Sequence, residues 1–142
     1  MTLKYKEITD KILKGFYEVY NELGDGFLES VYENALYIVL SGYGLLVEKQ
    51  KNISVIFRDN IVGDFKADLI VDGNIIIELK AVRALDPAHE AQLINYLKAT
   101  NIEIGLLLNF GRKPEFKRFI FNNKKLKGKN NINPCKSVKI CG

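Results

Sequence analysis

The chain has 142 residues, of which 47% are hydrophobic and 27% charged, and its formal net charge is +4. This length fits one domain of ordinary size, and this composition is typical of a soluble globular protein, so a second full-sized domain and a largely disordered chain are both excluded. The apolar runs are too short to span a membrane, and two cysteines with one histidine cannot build a disulfide scaffold or a structural zinc site.

Two amphipathic helices are predicted first. Apolar residues recur every three to four positions over residues 8–23, and Gly24-Asp25-Gly26 ends that pattern. The second helix has an apolar stripe over residues 28–39, and Gly42 and Gly44 close it. The first predicted unit is therefore a pair of helices.

The pattern changes to strands between Leu45 and Val82. Runs rich in β-branched residues occupy residues 53–57, 65–71 and 75–79, and polar turns separate them. We expect three or four antiparallel strands in this stretch.

A third helix and a further strand complete the predicted core. Asp86-Pro87 is typical of a helix start, and apolar positions continue to about residue 99. Residues 104–110 are almost continuously apolar, which predicts a strand buried on both faces, and residues 116–121 are expected to form a last strand or a helical turn. The predicted order is α-α-β-β-β-α-β, an α/β fold in which helices cover a central sheet.

Charge is distributed unevenly along the chain. From Arg112 onward there are ten basic residues and one acid, a net +9, whereas residues 1–111 hold eleven basic and sixteen acidic residues, a net −5. A basic C-terminal stretch on an acidic body predicts a polyanionic partner for the stretch and cations for the body. The alternative is a solvated tail that only aids solubility.

Two carboxylates interrupt apolar strands, where an unpaired charge is costly. Asp68 and Glu78 lie on consecutive predicted strands, and the hairpin register decides whether they meet. A two-residue turn would send them to opposite faces. A three-residue loop, Asp72-Gly73-Asn74, pairs Val71 with Ile75 and the two carboxylates with each other, and its asparagine tolerates the left-handed conformation that such loops need.

The three-residue loop also separates apolar from polar residues. One face then carries Ala67, Leu69, Val71, Ile75, Ile77 and Leu79, all apolar. The other face carries Lys66, Asp68, Ile70, Ile76, Glu78 and Lys80. Burial therefore selects the register that brings two carboxylates and an amine together.

This polar cluster suggests metal chemistry. Two carboxylates at cross-strand distance repel each other unless a cation lies between them, and oxygen ligands with open water positions suit Mg²⁺ or Mn²⁺. A neighbouring lysine, here Lys80, can hold the attacking water and stabilise charge that develops on a phosphate. The alternative is a structural ion pair between Lys80 and one of the carboxylates on a solvated sheet face.

These residues resemble a known nuclease superfamily. Asp68 and Glu78-Leu79-Lys80 on a hairpin, after two helices and before a helix and a buried strand, resemble the PD-(D/E)XK nucleases. Residues 26–32, GFLESVY, match the GxxExxY motif of a small bacterial family within that superfamily, and Gln92 with Tyr96 resembles the QxxxY motif of RecB-like nucleases.

The resemblance covers about residues 8–121, and Ala67 stands where the superfamily usually has proline. It implies a restriction-endonuclease-like domain of residues 1–121 and a basic tail of residues 122–142. It also implies a Mg²⁺- or Mn²⁺-dependent phosphodiesterase that hydrolyses nucleic acid, with DNA as the expected substrate.

The resemblance assigns a role to each site residue. The expected catalytic residues are Glu29, Asp68, Glu78, Lys80, Gln92 and Tyr96. Asp68, Glu78 and Glu29 would ligate the metal, Lys80 would position the water, and the glutamine and tyrosine would orient Lys80 or the nucleic-acid strand. The expected nucleic-acid-binding residues are Arg112, Lys113, Lys124, Lys125 and Lys127. Without the family, Glu29 is equally well an acid that complements the dipole of its helix.

A competing interpretation is a non-catalytic nucleic-acid-binding or protein-interaction module that retains the nuclease fold. Charge within residues 1–7, where a secretory signal needs an apolar core, predicts a cytoplasmic protein without membrane association. A homodimer, a protein partner and the roles of Cys135 and Cys141 stay open.

Overall fold

The structure is a computed structural model that describes residues 3–121 and 138–141. The predicted order α-α-β-β-β-α-β is confirmed, and the run expected as a last strand or a helical turn is a strand. The elements are α1 Leu3–Leu23, α2 Glu29–Gly42, β1 Val47–Phe57, β2 Asn60–Val71, β3 Ile75–Lys80, α3 Pro87–Lys98, β4 Ile104–Phe110, β5 Pro114–Ile120 and β6 Val138–Cys141.

The strands form one mixed sheet in the order β5-β4-β3-β2-β1-β6. β3 and β4 run parallel because α3 crosses between them, and every other neighbouring pair is antiparallel. β6 pairs with β1, so that Val138 lies opposite Val55. In the part of the chain that the structure describes, no helix combines the length and apolar character needed to cross a membrane.

Each face of the sheet buries its own apolar cluster. The cluster beneath α1 and α2 includes Ile12, Phe16, Tyr32, Leu36, Leu69, Ile77, Leu106 and Leu108. The cluster beneath α3 includes Ile53, Ala67, Ile70, Ile76, Leu93, Leu97 and Leu107. The central strands β3 and β4 supply residues to both clusters, as expected of strands covered on both faces.

The β2–β3 hairpin has the predicted register. Val71 lies opposite Ile75, as the three-residue loop requires. The left-handed residues of the loop are Asp72 and Gly73, with φ of 52° and 68°, whereas Asn74 was expected in that conformation. The register survives this difference because it depends on the length of the loop and on burial.

One residue of the predicted apolar face is on the wrong side. Ala67 packs in the α3-side cluster, whereas Leu69 packs beneath α1 and α2, so β2 changes face between them. The neighbouring strand is irregular at the same level: Gln50 has a φ of 51°, and the β1–β2 pairing passes from Lys49 to Lys51. The prediction for Ala67 failed because a left-handed residue other than glycine cannot be inferred from an alternating pattern.

Candidate active site

The acidic pair lies where β2 and β3 separate. Beyond the last paired residues of the two strands, the backbone N–H of Asp68 donates to Oε1 of Glu78 at 3.1 Å. The backbone N–H of Leu79 donates in turn to Oδ2 of Asp68 at 2.8 Å. Each carboxylate thus uses one oxygen to accept from the main chain of the opposite strand, which leaves its second oxygen for another partner.

Glu78 is the more deeply buried carboxyl of the pair, with 4% of its surface exposed. Burial raises its pKa from 4.5 to about 9, and the negative charge of Asp68 adds to that rise. The backbone hydrogen bond from Asp68 and the charge of Lys80 act in the opposite direction. At pH 7 the metal-free pair therefore holds a proton that a bound cation would replace.

A divalent cation with open water positions fits this pair. Among the described residues, no group of three or more His, Cys, Asp or Glu side chains is arranged to hold a metal ion. Mg²⁺ does not need such a cage, because one or two carboxylates commonly hold it and waters complete its shell. The second oxygen of Glu78 and Oδ1 of Asp68, which lies 3.4 Å from Nε2 of Gln50, are suitable ligands. The mutual repulsion of the two carboxylates favours a cation between them.

Lys80 ends β3 two residues after Glu78 and is partly exposed. Its charge reaches Glu78, but within residues 3–121 no hydrogen bond or ion pair holds its ammonium group. The alternative of a structural ion pair between Lys80 and one of the two carboxylates is not found among the described residues. The ammonium group is instead available to a water or a phosphate.

α3 contributes Tyr96 to the site. Nε2 of Gln92 donates to the Tyr96 hydroxyl at 3.0 Å. Burial raises the pKa of Tyr96 to about 12, and the negative charges of Glu78 and Asp68 reinforce that rise. Tyr96 therefore stays a neutral phenol, and its own proton can be donated because its oxygen already accepts from Gln92.

The carboxylate of α2 that is linked to the pair is Glu33, one turn after Glu29. Oε1 of Glu33 accepts from Nε2 of Gln50 at 2.7 Å, and the same amide lies 3.4 Å from Oδ1 of Asp68. Burial raises the pKa of Glu33, the Gln50 amide opposes the rise, and the charges of Asp68 and Glu29 reinforce it. Glu29 is exposed as the first residue of α2, and none of the described hydrogen bonds joins it to the pair.

The sequence pattern did not identify Glu33 and Gln50 as site residues. Glu33 lies four residues after Glu29, on the same helix face, and this spacing was the available signal. Gln50 gave no signal, because its position over the site depends on its left-handed backbone.

Gly26 and Tyr32, the other two residues of the GxxExxY motif, fix the turn between α1 and α2. The Tyr32 hydroxyl donates to the carbonyl of Gly24 at 2.6 Å and accepts from the N–H of Phe27 at 3.2 Å. Its ring stacks on Phe110, with 4.3 Å between centroids. Gly26 has a φ of 104°, which favours glycine. These contacts fix the start of α2, and hence the direction of its acidic face.

Basic residues gather at the sheet end where Lys80 lies. Parallel pairing places Lys80 opposite Asn109, so the exposed Arg112 and Lys113 in the following turn lie at the same end. The Asn109 side chain makes two hydrogen bonds to the backbone of Val82, which fixes the loop after β3. The other expected nucleic-acid-binding residues lie outside the described residues; they are Lys124, Lys125 and Lys127.

Known proteins share this sequence pattern and this fold. A family model of the PD-(D/E)XK nuclease superfamily matches residues 6–119. The crystal structure of SSO0001 is similar at a TM-score of 0.53 and 20% sequence identity, over 66% of this chain and 50% of that protein. The chain thus spans about half the length of SSO0001, and no curated protein sequence matches it. The family model matches most of the chain, and the mixed sheet has the expected α-α-β-β-β-α-β order. The chain therefore belongs to the PD-(D/E)XK nuclease superfamily and has a restriction-endonuclease-like fold.

Proposed function

We propose that this protein is a metal-dependent nuclease that hydrolyses phosphodiester bonds of nucleic acid, with DNA as its substrate. The observation that carries the proposal is the pair of Asp68 and buried Glu78, bonded to the main chain of each other's strand, with Lys80 two residues after Glu78. Superfamily membership supports the class of reaction. The proposal adds two properties to this class of reaction, namely dependence on a divalent metal and a preference for DNA.

Each residue of the site has a chemical task in this proposal. Asp68 and Glu78 would hold Mg²⁺ or Mn²⁺, with Glu33 or Glu29 completing the acidic side. When bound, the cation supplies an acidified water and positive charge for the phosphate. Lys80 donates to the attacking water or to a phosphate oxygen, as a positioned cation does at developing negative charge.

The remaining assignments follow the same proposal. Residues 26–32 support placement in the GxxExxY family. Arg112 and Lys113, with the lysines of the tail, would neutralise backbone phosphates. We divide the chain into a nuclease domain, residues 1–121, and a basic tail, residues 122–142, within which β6 returns to pair with β1. The cytoplasmic location, a homodimer and a protein partner stay predictions.

Replacing Lys80 tests whether the protein is a nuclease or a non-catalytic module. Lys80→Ala should lower Mg²⁺-dependent cleavage by about 100-fold or more while nucleic-acid affinity changes little, since the lysine is assigned to the chemical step. Lys66→Ala, an exposed lysine of β2, is the matched control and should keep its activity. Single-stranded DNA, duplex DNA and RNA should each be tested with both metals.

Two results would contradict the assignment. If Lys80→Ala cleaves nucleic acid as fast as the wild type, the lysine takes no part in the chemical step. Wild-type protein that binds nucleic acid but cuts no form of it, with either metal present, would favour the non-catalytic module.

A further inference from the structure

A groove lies between α3 and the β1–β2 hairpin, on the α3 side of the sheet. Its volume is about 370 Å³, within the usual range of about 300–1,000 Å³ for small-molecule sites. Its lining residues are Val55, Val62, Gly63, Phe65, Asn95, Lys98 and Ala99. None of these residues belongs to the catalytic set described above.

The groove adjoins the acidic pair through one aromatic contact. The ring of Phe65, which forms one wall, lies with its centroid 5.6 Å from that of Tyr96. Tyr96 in turn is close enough to Glu78 and Asp68 for their charges to raise its pKa. Phe65 precedes Asp68 by three residues, about 10 Å along a strand. A ligand in the groove therefore lies near any phosphodiester held by the pair.

The lining combines three features that together suit a nucleobase. Phe65 is 39% exposed and Val62 is 62% exposed, which provides a ring and an apolar surface for stacking. The side-chain amide of Asn95 has no hydrogen-bond partner within residues 3–121 and can pair with the edge of a base. The exposed Lys98 ammonium, also without an ion pair in the described part of the chain, can contact a backbone phosphate.

We propose that this groove binds one unpaired nucleobase of the substrate strand, next to the phosphodiester at the acidic pair. The inference rests on the proposed nuclease function and adds a substrate class to it. A base inside a duplex cannot enter the groove without leaving its stack, so single-stranded or frayed nucleic acid is preferred over closed duplex.

The β1–β2 hairpin offers a matched pair of variants for the test. Val62 lines the groove and neighbouring Ile61 does not, yet they are 62% and 65% exposed. Val62→Asn and Ile61→Asn therefore make the same chemical change on equally exposed side chains, and neither removes a buried contact. Lys98→Gln tests the phosphate contact separately.

The probe is a short single-stranded DNA with 2-aminopurine at each position in turn, bound in EDTA so that no cleavage occurs. Wild-type protein should change the probe's fluorescence strongly at one or two positions. Val62→Asn makes part of the apolar lining polar while Phe65 stays, so it should reduce that response and weaken binding about ten-fold, at the lower end of what one stacked base contributes. Ile61→Asn should bind within about two-fold of wild type, and melting curves check that each variant is folded.

Cleavage of the same DNA with Mg²⁺ distinguishes this inference from the proposed nuclease. Equal losses in Val62→Asn and Ile61→Asn, or a response at no position, would overturn the groove even if the wild type cuts. A position-dependent response in a protein that never cuts would keep the groove as a binding site and overturn the nuclease. Absence of binding to any strand would overturn the groove, and absence of cleavage as well would overturn both proposals.

Discussion

Replacing Glu78 with glutamine should stabilise the metal-free protein, and the gain should grow with pH. The pKa of Glu78 is raised from 4.5 to about 9 in the folded protein, so the folded state keeps a proton that the unfolded chain has lost. The stability that comes from this proton is fully present below pH 4.5 and is lost as the pH rises towards 9. Glutamine ionises in neither state, so the variant lacks that decline.

The size of the effect follows from the two pKa values of Glu78, 4.5 and about 9. Each pH unit between them lowers the free energy of unfolding of the wild type by about 1.4 kcal/mol relative to the glutamine variant. The difference is about 1 kcal/mol at pH 5, about 3 kcal/mol at pH 7 and about 5 kcal/mol at pH 8. A pH-independent effect of the amide, such as an altered bond to the Asp68 N–H, shifts every value equally and leaves the slope unchanged.

Urea unfolding in EDTA at pH steps from 5 to 8 measures this slope directly. Glu7→Gln, which neutralises an exposed acid of α1, controls for the change in net charge. A difference between wild type and Glu78→Gln that stays constant across the pH range would refute the reasoning. A wild type that gains relative stability towards pH 8 would refute it as well.

Three further outcomes are expected. Mg²⁺ or Mn²⁺ should raise the melting temperature of the wild type more at pH 8 than at pH 6, because the cation displaces the Glu78 proton; an equal rise in Asp68→Asn, seen by calorimetry, would count against the metal site. Glutamine replacements in the tail should weaken nucleic-acid binding and reduce the slope of log affinity against log salt by about 0.7–0.9 per lost phosphate contact, as fluorescence anisotropy would record. The replaced residues are Lys124, Lys125 and Lys127. An unchanged slope would indicate that Arg112 and Lys113 bind the phosphates instead. Gly111→Ala should cost about 2 kcal/mol, since a Cβ there would clash with the Val82 carbonyl oxygen. Gly42→Ala, which meets nothing within 4 Å, should be neutral or stabilising, and thermal melts that rank the two variants equally would contradict this packing.

The hairpin that carries the acidic pair could be predicted because burial and loop length act locally. Only the three-residue loop placed Val71 opposite Ile75 and kept the apolar residues together, and the structure has that pairing. The face change between Ala67 and Leu69 could not be predicted, since it accompanies a left-handed Gln50 on another strand. Alternation along one strand contains no information about such a neighbour.

The choice between two acids of α2 also depends on distant contacts. The motif identifies the helix, but the turn that faces β1 is fixed by Tyr32 and its bonds to Gly24 and Phe27. Those bonds direct Glu33 towards Gln50 and leave Glu29 exposed at the first position. A sequence motif can predict that α2 carries an acid of the site. It does not predict which turn of α2 faces the acidic pair.

The bonds between the acidic pair and the main chain affect how a relative of this protein could lose activity. Removal of Asp68 would leave the Leu79 N–H without its acceptor, and removal of Glu78 would do the same to the N–H of Asp68, at a cost of about 1–3 kcal/mol each. Selection for stability alone would therefore retain an oxygen acceptor at each of these two positions, either the acid or its amide, in a descendant that no longer cuts nucleic acid. Lys80 has no such bond within the described residues, so stability does not protect it in the same way. A descendant with an acid or its amide at positions 68 and 78 and with the lysine replaced is the form in which an inactive relative is expected.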